Sequence, residues 1–322
     1  MKKIKGILLV LIFALSMSLC GCQNDNVSEK KIEIVTTNFP CYDIARAITN
    51  GDDNINLTML LKPGVESHNF DPTPQDILLV QNCDLFIYTG GESDVWVDKI
   101  LESSDKEINA VKLCDFVPLL VEEFKEGMEE EHEDEDADEE VEYDEHVWTS
   151  PSNMITLIDG IKTIIIELDE TKEELYLNNA KEYISKIESL RDEFNQVVFD
   201  SKAKSSNVTK PLIFGDRFPL IYFVKEFGLD YYAAFPGCSS ETEASAKTIL
   251  FLIDMIKEKE IKYVFHIELS AEKVCDTLKE ETGVETLLFH TAHNVSKEEF
   301  ESGETYYSLM HKNIENLELA LN

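Results

Sequence analysis

Three short stretches of the chain set histidine among acids, hydroxyls and prolines, with no apolar periodicity to make it a core residue. They are Pro63-Gly64-Val65-Glu66-Ser67-His68, Asp144-Glu145-His146-Val147-Trp148-Thr149-Ser150-Pro151 and Phe289-His290-Thr291-Ala292-His293-Asn294. A neutral imidazole is the commonest side-chain ligand of a transition metal. One loop histidine is usually a solvated side chain. Histidine-bearing loops at the ends of strand-like segments in both halves of the chain carry more weight, because ligands of α/β sheets bind at the carboxyl ends of strands. The chemistry on offer is metal binding. No HExxH pattern is present and the acidic stretches lack EF-hand spacing, so neither a zinc-hydrolase helix nor a calcium loop is indicated.

Other chemistry-bearing residues have plainer readings. Glu241 and Glu243 belong to a helix start, His266 alternates with apolar residues in a strand, and His311 lies solvated on the terminal helix. Trp96 and Trp148 are read as lobe packing, and Cys238, in Pro236-Gly237-Cys238-Ser239, as a buried thiol. Glu268 follows a strand, where a carboxylate is placed to steady a ligand histidine from behind.

The elements that must position these loops alternate. Residues 31–37 read as a strand, 40–48 as a helix and 57–61 as a second strand. Thr73-Pro74-Gln75-Asp76 is a helix start, with Thr as cap, Pro in the first turn and Asp three residues on. A buried-type strand follows at 84–88. Residues 172–200 contain neither Gly nor Pro and repeat apolar side chains at three and four, from Ala180 through Val198. Such a helix spans roughly 43 Å, enough for a rigid strut between two lobes. The pattern then restarts, with strands at 212–214 and 263–267, a helix at 222–227, and Ser240-Glu241-Thr242-Glu243 as a capping box for a helix running to Ile256. Strands alternating with helices predict α/β lobes with parallel sheets. Thr37-Asn38-Phe39-Pro40 and Asp216-Arg217-Phe218-Pro219 occupy matching places and hint at duplication.

Composition narrows the partners. The 322 residues carry a formal charge of −35, which disfavours nucleic acid. Residues 122–146 hold 16 acids and one Lys, too polar to order around a core, and are expected to be a disordered acidic insertion. Lys2, Lys3 and Lys5 precede an apolar run of 14 residues, 6–19, too short to span a bilayer comfortably. Leu19-Cys20-Gly21-Cys22 ends it and resembles a bacterial lipobox, implying a signal peptide at 1–21 and a lipid on Cys22. The five cysteines of the remaining chain form no CxxC pair and are read mostly as small buried apolar residues.

Taken together, Val35-Thr36-Thr37-Asn38-Phe39-Pro40, the Pro63-to-His68 loop, Asp71-Pro72-Thr73-Pro74-Gln75-Asp76, Glu145-His146-Val147-Trp148-Thr149-Ser150-Pro151 and residues 303–310 resemble the zinc/manganese-type substrate-binding proteins of bacterial ABC importers. The resemblance implies two metal-binding lobes, 22–171 with the insertion at 122–145 and 201–322, joined by the helix 172–200. It implies a monomeric, extracytoplasmic, lipid-anchored protein that is not an enzyme and that hands metal to a membrane permease. Carried over residue by residue, the ligands are His68, His146, Asp216 and His293. Asp216 stands where zinc-type relatives often have His, and His293 is chosen by its spacing to Tyr306-Tyr307-Ser308, with His290 the alternate. Three imidazoles and one carboxylate suit tetrahedral zinc, whereas Mn2+ favours more oxygen. A fully ligated ion leaves no open position for a catalytic water. A surface adhesin or acidic cation-binding lipoprotein is the competing class.

Overall fold

The computed structural model describes residues 30–66, 70–104, 106–128, 141–204, 209–239 and 243–322. The expected leader, Cys22, His68 and the centre of the acidic insertion, 129–140, lie outside the described residues.

Two four-stranded parallel sheets account for the strands. The first contains β1 (Ile32–Thr36), β2 (Ile55–Met59), β3 (Leu85–Tyr88) and β4 (Ala110–Lys112), in the order β2-β1-β3-β4. The second contains β5 (Leu212–Arg217), β6 (Tyr231–Phe235), β7 (Tyr263–His266) and β8 (Glu285–Leu288), in the corresponding order β6-β5-β7-β8. This shared topology bears out the hint of duplication. Parallel sheets are covered on both faces, and β3 is accordingly buried along its whole length. Thr36 pairs with both Met59 and Ile87, so the carboxyl ends of the first three strands are level.

Local signals set most helix starts. Helix α1 (Phe39–Thr49) is capped by Asn38, whose side chain accepts from Cys41 N. Helix α2 (Pro74–Asn82) starts with the expected Thr73/Asp76 capping box and is followed by α3 (Val95–Ser103). Helix α4 (Pro151–Leu168) begins at Ser150-Pro151 and buries Met154, Leu157, Ile158, Ile161 and Ile165. The strut is α5 (Glu173–Lys204). In the second lobe come α6 (Ile221–Phe227), α7 (Ala246–Glu258), α8 (Lys273–Thr282), α9 (Lys297–Ser302) and α10 (Tyr306–Leu321). One start is corrected: α7 begins at Ala246, with the Ser245 side chain accepting from Thr248 N, rather than at a Ser240/Glu243 box. The later serine is the one whose hydroxyl sits next to the free amides of the first turn.

Helix α5 ties the halves together. Tyr176, Ala180, Tyr183, Ile187, Leu190, Phe194 and Val198 make its buried stripe. Near its start, the Tyr176 hydroxyl donates to Asp52 at 2.6 Å and Tyr183 to Asp43 of α1. Near its end, Phe194 packs edge-on against Phe223 of α6 at 5.0 Å. The terminal helix α10 returns to the first lobe, where Tyr306 N donates to Asp43 at 3.0 Å and its hydroxyl to Trp148 O at 2.9 Å.

The acidic insertion is ordered at both of its ends, contrary to the expectation for 122–145 as a whole. Val121 and Tyr143 form an antiparallel bridge, Lys125 pairs with Asp230, and Asp144 and Glu145 are buried. Hydrogen bonds and ion pairs to the second lobe hold these edges where composition alone offers no core.

Candidate metal centre

In each sheet the strand order switches between the two central strands, β1/β3 and β5/β7. Crevices for ligands form outside the carboxyl ends at such points. The loops that meet there follow β2 and β8 and include the returning edge of the acidic insertion.

His146 opens a 3-10 turn, Val147–Thr149, and is fully buried. Asp144 Oδ1 accepts its backbone N–H at 2.8 Å and lies 3.1 Å from its Nδ1. A proton held on Nδ1 by this carboxylate leaves Nε2 with the lone pair that a metal takes. Burial pulls the His146 pKa down, but Asp144, then Glu145 and Glu122, outweigh it and raise the value above the ordinary 6.5.

His293 comes from the other lobe and meets His146. Their ring centroids are 5.1 Å apart at 82°. Glu145, His146 and His293, all buried, each offer a ligand atom within 4.8 Å of the other two. Asp144, His146 and Cys238 form a second group of the same closeness, sharing His146. Glu145 also accepts from Ser93 N at 3.0 Å and Ser93 Oγ at 2.5 Å.

The loop bearing His293 is bolted to its surroundings. Glu268 accepts from Thr291 N at 2.7 Å, Thr291 Oγ1 at 2.6 Å and His293 N at 3.0 Å. It therefore steadies the backbone of His293. Ala292 sits at φ 58°, a strained value for a residue with a Cβ. Trp148 Nε1 donates to Thr291 O at 2.9 Å. Asn294 Nδ2 donates to Lys62 O at 2.9 Å and Val65 O at 2.7 Å, and Gly64 N to Val295 O at 2.7 Å. Gly64, at φ 84°, makes the left-handed turn that this docking needs. These bonds fix the root of the loop leading to His68. A small cavity of about 20 Å³ lies there, lined by Val65, Glu66, Arg217, Glu268, His293 and Asn294. Arg217 Nη1 reaches Glu66 across it at 2.9 Å.

Two expected residues sit differently. Asp216 is buried at the end of β5, but its oxygens accept from Arg217 N at 2.9 Å and Ile267 N at 3.2 Å. Among the described residues it belongs to neither ligand group. His290 is also outside them. Its Nδ1 accepts from Ala292 N at 2.9 Å, and Glu299 lies 3.6 Å from its Nε2. That proximity holds the Glu299 carboxyl down to about 2. The motif reading assigned no role to Asp144, Glu145 or Asn294. An acid two residues before a candidate ligand histidine is the signal for the first.

A family model described as "ZnuA: Zinc-uptake complex component A periplasmic" matches residues 34–320. The chain belongs to the ZnuA family. The high-affinity zinc uptake system protein ZnuA of Bacillus subtilis is 31% identical over 331 residues, covering 99% of this chain and 98% of the relative. The zinc-binding lipoprotein AdcA of Streptococcus pneumoniae is 30% identical over 317 residues, covering 97% of this chain but 60% of AdcA. Against the AdcA proteins of Streptococcus pyogenes the chain spans 57% of the relative's length. Among solved structures, the Zn(II)-bound ZnuA-like domain of pneumococcal AdcA superposes with a TM-score of 0.72 at 27% identity, covering 90% of this chain and 99% of that one. The metal-dependent lipoprotein YcdH of Bacillus subtilis gives 0.73 at 28%, covering 91% and 100%. The paired lobes and long helix are thus the ZnuA-type fold. Among the described residues, no helix is long and apolar enough to cross a membrane.

Proposed function

We propose that this ZnuA-family chain captures one zinc ion between its lobes, outside the cytoplasm, and delivers it to the permease of an ABC importer. The carrying observation is the convergence of His146 with His293 across the lobes, beside buried Glu145. Imidazole-rich donor sets favour zinc over manganese, whose sites are richer in oxygen. His68, His146 and His293 are the nitrogen ligands in this reading. Asp216, which accepts from the Ile267 amide, is the carboxylate expected to complete the set, and Glu145 is the carboxylate grouped with both histidines. The ion is cargo, and no catalytic step is proposed. In the same reading the lobes, 22–171 and 201–322, act as a monomer anchored through lipid on Cys22.

The test is metal content and affinity. Protein purified without added metal should carry one zinc and little manganese. His146→Ala and His293→Ala should each weaken zinc binding by more than about tenfold, the least expected when a ligand is removed. Parental affinity in both variants would overturn the reading. Release of Cys22→Ala from the membrane fraction checks the anchor.

A further inference from the structure

Cys238 is out of place as a packing residue. Cys41 and Cys114 belong to the main apolar core, Cys275 to a second one and Cys83 packs against a third. Cys238 joins none of these clusters. No cysteine among the described residues is in a disulfide. Its surroundings are instead polar: its Sγ, a nitrogen of His146 and an oxygen of Asp144 all lie within 4.8 Å of one another, in a group that shares His146 with the Glu145–His293 cluster.

The loop is built to bring it there. Cys238 follows β6, and its backbone N–H donates to Glu122 Oε1 at 2.8 Å, from the first edge of the acidic insertion. A Cβ on Gly237 would lie 2.8 Å from Asp144 Oδ2 and 3.0 Å from Phe218 O, so only glycine lets the loop approach the second edge this closely. The Tyr222 hydroxyl donates to Asp144 O at 2.8 Å and accepts from Leu120 N at 3.0 Å, which fixes that edge in turn. Two ligands of one tetrahedral zinc, a thiolate and an imidazole, stand roughly 3.5 Å apart given the usual bond lengths. A spread of at most 4.8 Å therefore asks for an inward shift of roughly 1 Å. Among the described residues Asp216, the expected second-lobe carboxylate, accepts from two backbone amides and belongs to neither ligand group.

We propose that Cys238 supplies a thiolate to the zinc ion held by His146, in the second-lobe position expected of Asp216. This rests on the zinc-capture reading above and sharpens it. The thiol proton is released to solvent as the Zn–S bond forms. A soft sulfur ligand adds discrimination against manganese.

Cobalt(II) is the probe, because a thiolate ligand gives it an intense near-ultraviolet sulfur-to-metal charge-transfer band. The parent chain should show the band at one equivalent of cobalt. Cys238→Ser should bind cobalt without the band and bind zinc more weakly by at least about tenfold. Cys238→Asp, which restores a ligand but makes it oxygen, should also lack the band and shift preference toward manganese. A parent that binds cobalt without the band, or a Cys238→Ser variant that keeps band and zinc affinity, overturns the thiolate while leaving zinc capture intact. Failure of the parent to bind either metal overturns the zinc-capture reading itself.

Discussion

Asp144→Asn tests how His146 is prepared for metal. The variant keeps the shape and an acceptor oxygen at a buried position, so the contacts to His146 N at 2.8 Å and Nδ1 at 3.1 Å have a replacement. What is lost is the charge. Outer carboxylates of this kind are worth about 10–100-fold in metal affinity, or roughly 1.4–2.8 kcal/mol at 1.4 kcal/mol per decade. The same charge raises the His146 pKa against the pull of burial. A raised pKa means protons compete more strongly for the ring, so parental zinc affinity falls as pH drops through that value. Removing the charge lowers the pKa and delays the fall. Two effects of opposite sign follow. On the alkaline side of the raised pKa, where the ring is neutral, the variant binds zinc more weakly by the full factor. As pH falls through that pKa the gap narrows. Competition with a chromophoric zinc chelator on both sides of it measures both, and thermal unfolding of the apo forms checks that the fold is kept. Equal affinities on the alkaline side, or a gap that widens toward acid, would refute the orienting role of Asp144.

Two further outcomes are expected. Deleting 129–140, with the bridged edges Val121 and Tyr143 retained, should leave tight zinc affinity unchanged and remove only weak, salt-sensitive cation binding; a tenfold or greater loss in calorimetric titration would give the loop a primary ligand. Asp94 is raised from 3.8 to about 7 by burial, so the folded state holds the proton more tightly and stability falls as pH rises between those values. Asp94→Asn should flatten that slope in chemical denaturation and stabilise the protein above about pH 7 by up to roughly 4 kcal/mol at 1.36 kcal/mol per pKa unit; a variant less stable than the parent at both ends of the range would count against it.

The elements with short-range signals were legible. Thr73-Pro74 with Asp76 fixed a helix start because the cap is satisfied within four residues, and the apolar stripe of α5 announced itself over about six turns. His146 and His293 could be nominated from their loops. The sequence pointed to Glu268 as a support for a ligand histidine, but not to the backbone atoms through which the histidines are held. Glu268, Asn294 and Trp148 act through hydrogen bonds to backbone atoms far away in the chain, and a backbone carbonyl such as Lys62 O or Thr291 O leaves no mark in the residue pattern. Asp216 shows the converse. A buried acid at a strand end has the type and place of a ligand, and the amides of Arg217 and Ile267 that its oxygens also serve are invisible in the residue pattern. Cys238 looked like a small core residue because burial and ligation leave the same trace in a single sequence.

The way the lobes are joined bears on how an ion captured between them, as proposed, would be released. One continuous apolar cluster runs from Ile34 of β1 through Phe194 of α5 to Phe289 after β8. Swinging the lobes apart would expose part of it, at about 25 cal/mol for each Å² uncovered. The contacts at the candidate centre are of another kind: two hydrogen bonds from Asn294, one each from Gly64 and Trp148, and the Arg217–Glu66 pair. Each such bond contributes about 1 kcal/mol net. Ala292 holds backbone strain in the same loop. The 289–296 loop is anchored in that same cluster through Phe289, Ala292 and Val295, so local opening, which is drawn from segments with few apolar contacts, favours displacement of the 61–66 loop over that of 289–296 or a hinge of whole lobes. Moving the 61–66 loop aside costs a few hydrogen bonds' worth of free energy, and release of an ion held by His146 and His293 costs its bonds to those ligands in addition.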